Sequence, residues 1–359
     1  MKILIINNSS GGLYNFRRQL IKELVDRGNQ VKLLIPFNSR LNELKEIGTE
    51  LIETPIERRS LNPFGDYSLY KLYSSIIKKE KPDLIITYTI KPNIYAGRIA
   101  AKKNISYATN ITGLGTAFES GSALKYIAIK MYKTALKKAK VVFFENRENC
   151  NTFLKLGIVN EKQYCVLPGA GVDIDYFSYQ TYPEIIDNTN FIFIGRVMKE
   201  KGIVELFSAV RRLYLEGVRC RLTVLGGCEE HYEEEMRKYS SEGWMEYLGH
   251  QLDVREYIKQ SHCFVLPSWH EGMANTNLEC AAMGRPIITS NIPGCMEAVD
   301  NGVSGFLCEK QNADDLYQKL KHFISLPYDK QKAMGLAGRK RMEEIFDKKK
   351  VIEQTIERL

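Results

Sequence analysis

The segment KILIINNSSGGLYNFRRQLIKELVDRGNQVKLLI (residues 2–35) decides the fold class. It reads as a strand (Lys2–Asn7), a glycine-bearing turn, an amphipathic helix (about Asn15–Arg27) and a second strand (Gln30–Ile35). Strands joined through a helix run parallel, because an antiparallel pair needs only a tight turn. The segment therefore predicts a βαβ unit in an α/β protein with a parallel sheet.

The same alternation continues along the chain and restarts in the second half. Further candidates for buried strands are Leu84–Thr87, Tyr107–Thr109, Val141–Phe144, Phe191–Ile194, Arg221–Leu225, Cys263–Pro267 and Pro286–Thr289. The stretch 167–187, rich in Gly, Pro and Tyr, separates the two halves. A chain of 359 residues fits two domains better than one. We predict domains at 1–170 and 171–340, and a helix at 341–359 that crosses back to the first domain.

Composition narrows the class of protein. Hydrophobic residues make up 44% of the chain and charged residues 26%, which is typical of globular proteins. The apolar run Ile3–Ile6 is shorter than the roughly 7–15 residues of a signal-peptide core. The eight cysteines show neither a CxxC pair nor zinc-ligand spacing, which favours a reducing compartment. We expect a cytoplasmic protein, peripheral at the inner face of the cell membrane.

Basic residues are concentrated in the first half. Residues 1–178 hold 27 Lys and Arg against 16 Asp and Glu, whereas residues 179–359 hold 24 against 27. This excess predicts an anionic partner, which could be a phosphorylated substrate, a membrane surface or nucleic acid. The run ALKYIAIKMYKTALKKAK (123–140) has six lysines and no acid. A basic amphipathic helix can lie on anionic lipid, although a core-packed helix with solvated lysines fits the same pattern.

The first motif that points to chemistry is FIGRVMKEKGIVEL (193–206). Arg196 follows a strand, and Lys201-Gly202 opens the next helix. A helix N-terminus, a lysine and an arginine together form a phosphate site. Taken alone, the two side chains could equally be a solvated surface pair.

The second motif is SWHEGMANTNLECAAMGRPIITSNIPG (268–294). Glu271 follows a buried strand, and Glu279 lies on the first turn of a helix that begins near Asn275 or Thr276. Carboxylates accept hydrogen bonds from vicinal sugar hydroxyls. Alternatively, Thr276 and Glu279 match the spacing of a capping box, which would make Glu279 structural.

In order and spacing, GR-x4-KG followed by EG-x6-E-x4-G-x-P resembles the retaining family 4 glycosyltransferases of the GT-B fold. The resemblance spans essentially the whole chain and includes YLG (247–249), the FVLPS strand and GVD-x3-F (171–177). It implies two doubly wound Rossmann-like domains facing across a cleft. The N-terminal domain would bind the acceptor, and the C-terminal domain the nucleotide sugar.

The resemblance also implies residue roles. Arg196 and Lys201 would bind the donor pyrophosphate, and Glu271 the transferred sugar; these three are the catalytic candidates. The remaining donor-binding candidates are Glu279 for the ribose hydroxyls, the backbone of Gly272, Met273, Ala274 and Asn275, and the first-domain glycines Gly11 and Gly12. His250, Gln251 and Leu252 would lie near the base.

The chain departs from the family in one respect. Many members place a histidine in the segment that resembles ATNITGLG (108–115), where this chain has Thr112, and all five histidines lie in the second half. TIKPNIYAG (89–97) together with ITGLGTAF (111–118) is most similar to bacterial enzymes that build capsule, O-antigen and N-linked glycans on lipid carriers. Lys91, Asn93 and Thr112 are therefore acceptor-side candidates, although TIKPN fits a proline-set turn equally well.

We expect no essential metal and no cofactor. Asp173 and Asp175 match a DxD motif but lie in the interdomain stretch, and His262 and His270 have no ligand partner at metal spacing.

The predicted activity is retaining transfer of a hexose or N-acetylhexosamine from a UDP-sugar to a polyprenyl-diphosphate-linked glycan. The alternatives are a nucleotide-sugar epimerase of the same fold and a basic nucleic-acid-binding protein. The chain lacks nucleic-acid-binding motifs and its second half is acidic, so we expect no nucleic acid partner.

Overall fold

The computed structural model of the chain describes residues 1–55, 63–114, 118, 123–229 and 232–359. They form two compact units. The first comprises Met1–Ala170 together with Ile352–Leu359, and the second comprises Gly171–Val351. Each unit is built on its own parallel sheet flanked by helices, which confirms the predicted fold class.

The first unit contains a seven-stranded sheet in the order β3-β2-β1-β4-β5-β6-β7. Its strands are β1 (Lys2–Ile6), β2 (Gln30–Ile35), β3 (Glu50–Glu53), β4 (Leu84–Tyr88), β5 (Ser106–Ile111), β6 (Val141–Phe144) and β7 (Tyr164–Val166). Its helices are α1 (Ser10–Asp26), α2 (Leu41–Glu46), α3 (Pro63–Glu80), α4 (Ile90–Lys103), α5 (Ala123–Leu136) and α6 (Arg147–Lys155). The order reverses direction between β1 and β4, which is the topological switch point of this sheet.

Two apolar layers cover the faces of this sheet. Side chains of α1 and α2 pack on one face, where Ile352, Ile356 and Leu359 from the end of the chain join them. Side chains of α3, α4, α5 and α6 pack on the other face. Strands covered on both faces are continuously apolar, which explains why runs such as Ile3–Ile6 were recognisable in the sequence.

The second unit contains a six-stranded sheet in the order β10-β9-β8-β11-β12-β13. Its strands are β8 (Thr189–Ile194), β9 (Cys220–Leu225), β10 (Met245–Tyr247), β11 (Cys263–Leu266), β12 (Ile287–Ser290) and β13 (Gly305–Cys308). Its helices are α7 (Ile203–Leu215), α8 (Glu233–Ser241), α9 (Arg255–Gln260), α10 (Asn275–Ala282), α11 (Ala313–Ser325), α12 (Tyr328–Arg341) and α13 (Lys348–Arg358). Helix α13 begins in this unit and ends in the first.

Several element boundaries differ from the prediction. Helix α1 begins at Ser10 rather than near Asn15, because Ser9 caps it by accepting a 3.0 Å hydrogen bond from the N–H of Gly12. The strands β3, β7, β10 and β13 were not predicted. They have only three or four residues each, and most of those residues are exposed or partly buried, so the signal of a buried strand is weak.

Candidate active site

The sequence motifs of the second unit meet at the switch point between β8 and β11. These two strands are neighbours in the sheet, and the chain leaves them in opposite directions. Arg196 and Lys201 follow β8, whereas Ser268 and Glu271 follow β11. In open α/β sheets the ligand binds at this position, beyond the carboxyl ends of the strands.

Lys201 and Glu271 form an ion pair at the centre of this site. Their side chains are only 19% and 13% exposed, and the Nζ of Lys201 donates to the Oε1 of Glu271. The hydroxyl of Ser268, which is fully buried, donates to the same oxygen at 2.8 Å. Sequence reasoning missed Ser268, although its place at the end of the FVLPS strand was visible.

Two glycines permit this close packing. Gly202 has a φ of +71°, and a Cβ added there would lie 2.0 Å from the carbonyl oxygen of Pro267. Gly294 has a φ of +84°, and its Cβ would lie 2.7 Å from the carbonyl oxygens of both Glu271 and Gly272. A side chain at either position would push the Lys201 turn or the Glu271 turn out of place.

Helix α10 begins beside Glu271 without a side-chain cap. Among the described residues, the backbone N–H groups of Met273, Asn275 and Thr276 have no hydrogen-bond acceptor. The N–H of Ala274 is different, because it donates to the carbonyl of Gly294 at 2.7 Å. The prediction for Ala274 is thus corrected: its N–H braces the loop and is not available to a ligand. The others form an electropositive helix terminus suited to an anion.

The structure excludes one of the two interpretations of Glu279, the capping box. Because α10 starts at Asn275 and its N-cap position is Ala274, Thr276 lies inside the helix and cannot act as a cap. No capping box forms, so the structural explanation of Glu279 is wrong. Desolvation raises the pKa of Glu279 to about 7, and the charge of Lys348 opposes this only in part. A half-buried carboxylate with a raised pKa is characteristic of a functional site.

Arg196 and Lys201 have partners on opposite sides of β8. The partner of Lys201 follows β11, whereas the partner of Arg196 follows β9. Its guanidinium donates to the carboxylate of Glu229 at 2.6 Å, and the two side chains are 42% and 35% exposed. The pairing of β8 and β9 extends beyond the strand ends, since the N–H of Val197 donates to Gly227 and that of Glu229 to Val197. Glu229 was not singled out from the sequence.

The three residues predicted near the base follow β10. His250 is exposed, and Leu252 is 80% exposed, which is unusual for a leucine. The side-chain amide of Gln251 donates to the carbonyl of Leu248 at 2.6 Å. This segment lies at the carboxyl edge of the sheet, two strands from β8.

In the first unit, Gly11 and Gly12 lie in the first turn of α1, at that unit's own switch point. The N–H of Gly12 is occupied by the Ser9 cap. A Cβ on Gly11 would lie 2.6 Å from the hydroxyl of Ser39, so this glycine also has a packing role. The predicted contact of these glycines with a diphosphate stays a prediction.

The acceptor-side candidates differ in accessibility. Lys91 pairs with Asp66 at 2.9 Å, and Thr112 is partly exposed directly after β5. Asn93 is only 1% exposed, and its amide donates to the carbonyl of Asn110 at 2.8 Å. Asn93 thus joins α4 to β5 inside the unit, and its acceptor-side role stays a prediction.

The DxD match at Asp173 and Asp175 has local explanations. Asp173 accepts hydrogen bonds from the N–H groups of Asp175 and Tyr176, and Asp175 pairs with Lys349 at 2.7 Å. His262 is buried, and its Nδ1 accepts a 2.9 Å hydrogen bond from the N–H of Asn190. Within the described ranges, no three His, Cys, Asp or Glu side chains are grouped so that they could hold a metal ion.

Two models of protein families match the chain. Residues 183–341 match the model described as glycosyl transferases group 1. Residues 2–146 match the model described as glycosyl transferase 4-like. The first match contains the site at the switch point of the second sheet, and the second match covers most of the first unit.

Curated relatives align over most of the chain. One is the N,N'-diacetylbacillosaminyl-diphospho-undecaprenol alpha-1,3-N-acetylgalactosaminyltransferase of Campylobacter jejuni, 28% identical, with 89% of this chain and 88% of the relative covered. Another is the UDP-Gal:alpha-D-GlcNAc-diphosphoundecaprenol alpha-1,3-galactosyltransferase of Escherichia coli, 29% identical, with 70% and 68% covered.

The fold also resembles solved structures. The Anabaena protein HepE in complex with UDP and glucose superimposes with a TM-score of 0.81 at 17% identity, covering 99% of this chain and 98% of that one. A likeness at this identity concerns the fold alone.

Proposed function

The chain belongs to the glycosyltransferases of the GT-B fold, with a 4-like first domain and a group 1 second domain, and we propose which reaction it performs. It transfers a hexose or N-acetylhexosamine from a UDP-sugar to a hydroxyl of a polyprenyl-diphosphate-linked glycan, with retention of anomeric configuration. The names of the Campylobacter and Escherichia relatives, both of which include a diphospho-undecaprenol acceptor, support the class of acceptor. The name of the Escherichia relative, which includes UDP-Gal, supports the donor.

One observation carries this proposal: the largely shielded pair of Lys201 and Glu271 lies beside the uncapped N-terminus of α10. Lys201 and Arg196 bind the donor diphosphate, assisted by the N–H groups of Met273 and Asn275. Glu271 accepts hydrogen bonds from the sugar, and Glu279 from the ribose. The proposal thus uses the second-unit donor residues of the sequence prediction, with the exception of the N–H of Ala274, which donates to Gly294.

In the proposed mechanism, the bond between the anomeric carbon and the diphosphate oxygen breaks as the acceptor hydroxyl attacks from the same face. The proton of that hydroxyl passes to the departing phosphate oxygen. Arg196 and Lys201 stabilise the negative charge that develops on the leaving group, which is the largest contribution such a site makes. Glu271 is not a nucleophile, since covalent retention uses two carboxylates about 5 Å apart at the anomeric carbon and Glu279 is assigned to the ribose. The mechanism needs no first-domain imidazole, which agrees with Thr112 at that position.

The proposed activity is tested by incubating the protein with UDP-, GDP- and ADP-sugars and an extract of lipid-linked glycans. We expect release of UDP that depends on the extract, and an NMR spectrum of the product that shows the donor's anomeric configuration. Interconversion of the UDP-sugar without release of UDP would identify an epimerase instead. An inverted product would refute the retaining mechanism.

Donor binding should depend on pH through Glu279. With a pKa of about 7, this carboxyl is ionised at pH 8 and largely protonated at pH 6. If the ionised form binds the ribose hydroxyls, affinity falls about 10-fold from pH 8 to pH 6. Calorimetric titration with UDP-glucose measures this, because a diphosphate diester does not itself titrate in this range. The Glu279→Gln variant should bind weakly and without this pH dependence; a wild-type affinity that is equal at both pH values contradicts the assignment.

The raised pKa of Glu279 also makes the stability of the folded protein depend on pH. Stability falls as the pH rises, whereas donor affinity increases. The pKa of Glu279 is raised above its usual value near 4.5, so the folded protein holds a proton that the unfolded chain releases between about pH 4.5 and pH 7. The stabilising effect of that proton is complete below pH 4.5 and is lost as the pH rises through 7. Glu279→Gln should therefore melt higher than wild type at pH 8, while binding the donor less well.

We further propose that the first unit docks on an anionic membrane surface through α5. The described part of α5 and the residues after it present Lys130, Lys133, Lys137 and Lys138 to solvent. Tyr126 and Ile127 on the same helix are 76% and 55% exposed. The apolar residues of this helix do not lie on one face, because Leu136 and Tyr132 face the core, whereas Ile127 faces outward. Leu124 and the basic pair Arg58-Arg59 lie outside the described side chains.

No helix among the described residues is both long and apolar enough to cross a bilayer.

Replacing Lys130, Lys133 and Lys137 with Gln should weaken binding to phosphatidylglycerol vesicles about 100-fold at moderate salt, since each lysine contributes about 1 kcal/mol near such a surface. Co-sedimentation with vesicles measures the partition coefficient. The matched control replaces Lys22, Arg27 and Lys45 with Gln on α1 and the end of α2, whose side chains pack on the opposite face of the sheet. Equal losses in the two triple variants would show non-specific attraction and contradict docking through α5.

A further inference from the structure

Both cations of the candidate site are paired with a carboxylate in this structure. Lys201 is paired with Glu271, and Arg196 with Glu229. The four side chains together carry no net charge, whereas a donor diphosphate brings two negative charges. A phosphate can form a full ion pair with Arg196 only if the carboxylate of Glu229 moves away from the guanidinium.

The two carboxylates are held very differently. Glu271 is 13% exposed and accepts hydrogen bonds from both Lys201 and the buried Ser268. Glu229 is 35% exposed, and the guanidinium it meets is 42% exposed. An ion pair between exposed side chains is weak, because water screens it and solvates either partner once it is released. Glu229 is therefore the partner that can exchange.

Backbone contacts between the segments that follow β8 and β9 keep Glu229 next to Arg196. Gly226 has a φ of +138°, and a Cβ there would lie 1.8 Å from the carbonyl oxygen of Gly195, so the chains after β8 and β9 touch. Hydrogen bonds from Gly195 to Leu225 and from Glu229 to Val197 continue this contact. The carboxylate is thereby positioned where an incoming phosphate would meet the guanidinium.

We propose that Glu229 is a positioning residue that occupies Arg196 until the donor diphosphate displaces it. After sugar transfer it competes again for Arg196 and speeds release of the nucleoside diphosphate. This inference rests on the proposed function, since it requires that Arg196 bind the diphosphate. Its consequence is that removing the carboxylate strengthens nucleotide binding, which is the opposite of what loss of a supporting ion pair would do.

The Glu229→Gln variant should bind UDP 5- to 20-fold more tightly than wild type and release it more slowly. Calorimetry gives the affinity, and stopped-flow displacement gives the release rate. Uridine, which has no phosphate, should bind both proteins equally. A matched control is Glu246→Gln, which removes a carboxylate 3.8 Å from Arg221 between the neighbouring strands β9 and β10; its UDP affinity should equal that of wild type.

A double-mutant cycle separates exchange from simple charge repulsion. In an Arg196→Ala background, Glu229→Gln should change UDP affinity less than 2-fold, because no guanidinium remains to be released. An equal gain in both backgrounds would mean that the carboxylate merely repels phosphate, and would overturn the proposal. Unchanged or weaker UDP binding by Glu229→Gln would also overturn it, while leaving the proposed function in place. Wild-type protein that binds none of UDP, GDP and ADP would overturn the proposed function and this inference with it.

Discussion

Lys201→Ala is expected to lower the turnover of sugar transfer about 100- to 1,000-fold. Removing one preorganised group that stabilises developing charge has an effect of this size in other enzymes. Here the Lys201 side chain is only 19% exposed and its ammonium pairs with Glu271, so water cannot replace that charge with equal effect. The UDP-release assay measures the loss, and the affinity for UDP should fall in parallel.

Lys199→Ala provides the matched control, because Lys199 lies two residues earlier in the same turn. Its ammonium is 5.6 Å from the centre of the Trp269 ring, whereas Glu271 pairs with Lys201. Its turnover should stay within about 3-fold of wild type, and circular dichroism should show that both variants are folded. Equal turnover in the Lys201→Ala variant and wild type would refute the role given to Lys201.

Arg285→Met is expected to have the largest effect on stability, about 3–5 kcal/mol in the second unit. Arg285 is fully buried, and its guanidinium donates to six carbonyl oxygens. Those carbonyls belong to Gln180 and Thr181, to Ile258 and Lys259, and to Met283 and Gly284. Each buried carbonyl that loses its donor is destabilised by about 1–3 kcal/mol, partly offset because no buried charge remains.

Chemical denaturation followed by Trp fluorescence measures this, since Trp244 and Trp269 both lie in the second unit. Arg237→Met on the exposed side of α8 is the control and should change stability by less than about 0.5 kcal/mol. If the Arg285→Met variant were as stable as wild type, the guanidinium would not be what holds residues 180–181 against α9 and α10.

The sequence predicted the fold because long apolar runs separate helical periods. Strands such as β4 and β11 are buried along their whole length, so their residues are almost all apolar. Edge strands such as β3 and β10 lack that signal, because one side of each strand has no neighbour in the sheet. Their positions depend on tertiary pairing, which local sequence does not specify.

The spacing of the motifs predicted that Lys201 and Glu271 come together, because they follow two strands that are neighbours in the sheet. The ligand roles of Arg196, Lys201 and Glu271 stay predictions. Glu279 stayed ambiguous because a shift of one or two residues in the start of α10 changes its role. That start is set by the hydrogen bond from Ala274 to Gly294, which joins residues 20 positions apart. Glu229 and Arg285 could not be assigned for the same reason, since their partners are distant in sequence. A single arginine within the apolar run AAMGRPIITS was the one available signal for Arg285.

Binding of a diphosphate by Arg196 and Lys201 can be measured with paired titrations of UDP and uridine. We expect wild type to bind UDP at least 100-fold more tightly than uridine. In the Arg196→Ala/Lys201→Ala variant this difference should fall below about 5-fold, with uridine affinity unchanged. A double variant that still prefers UDP over uridine as strongly as wild type does would contradict the account.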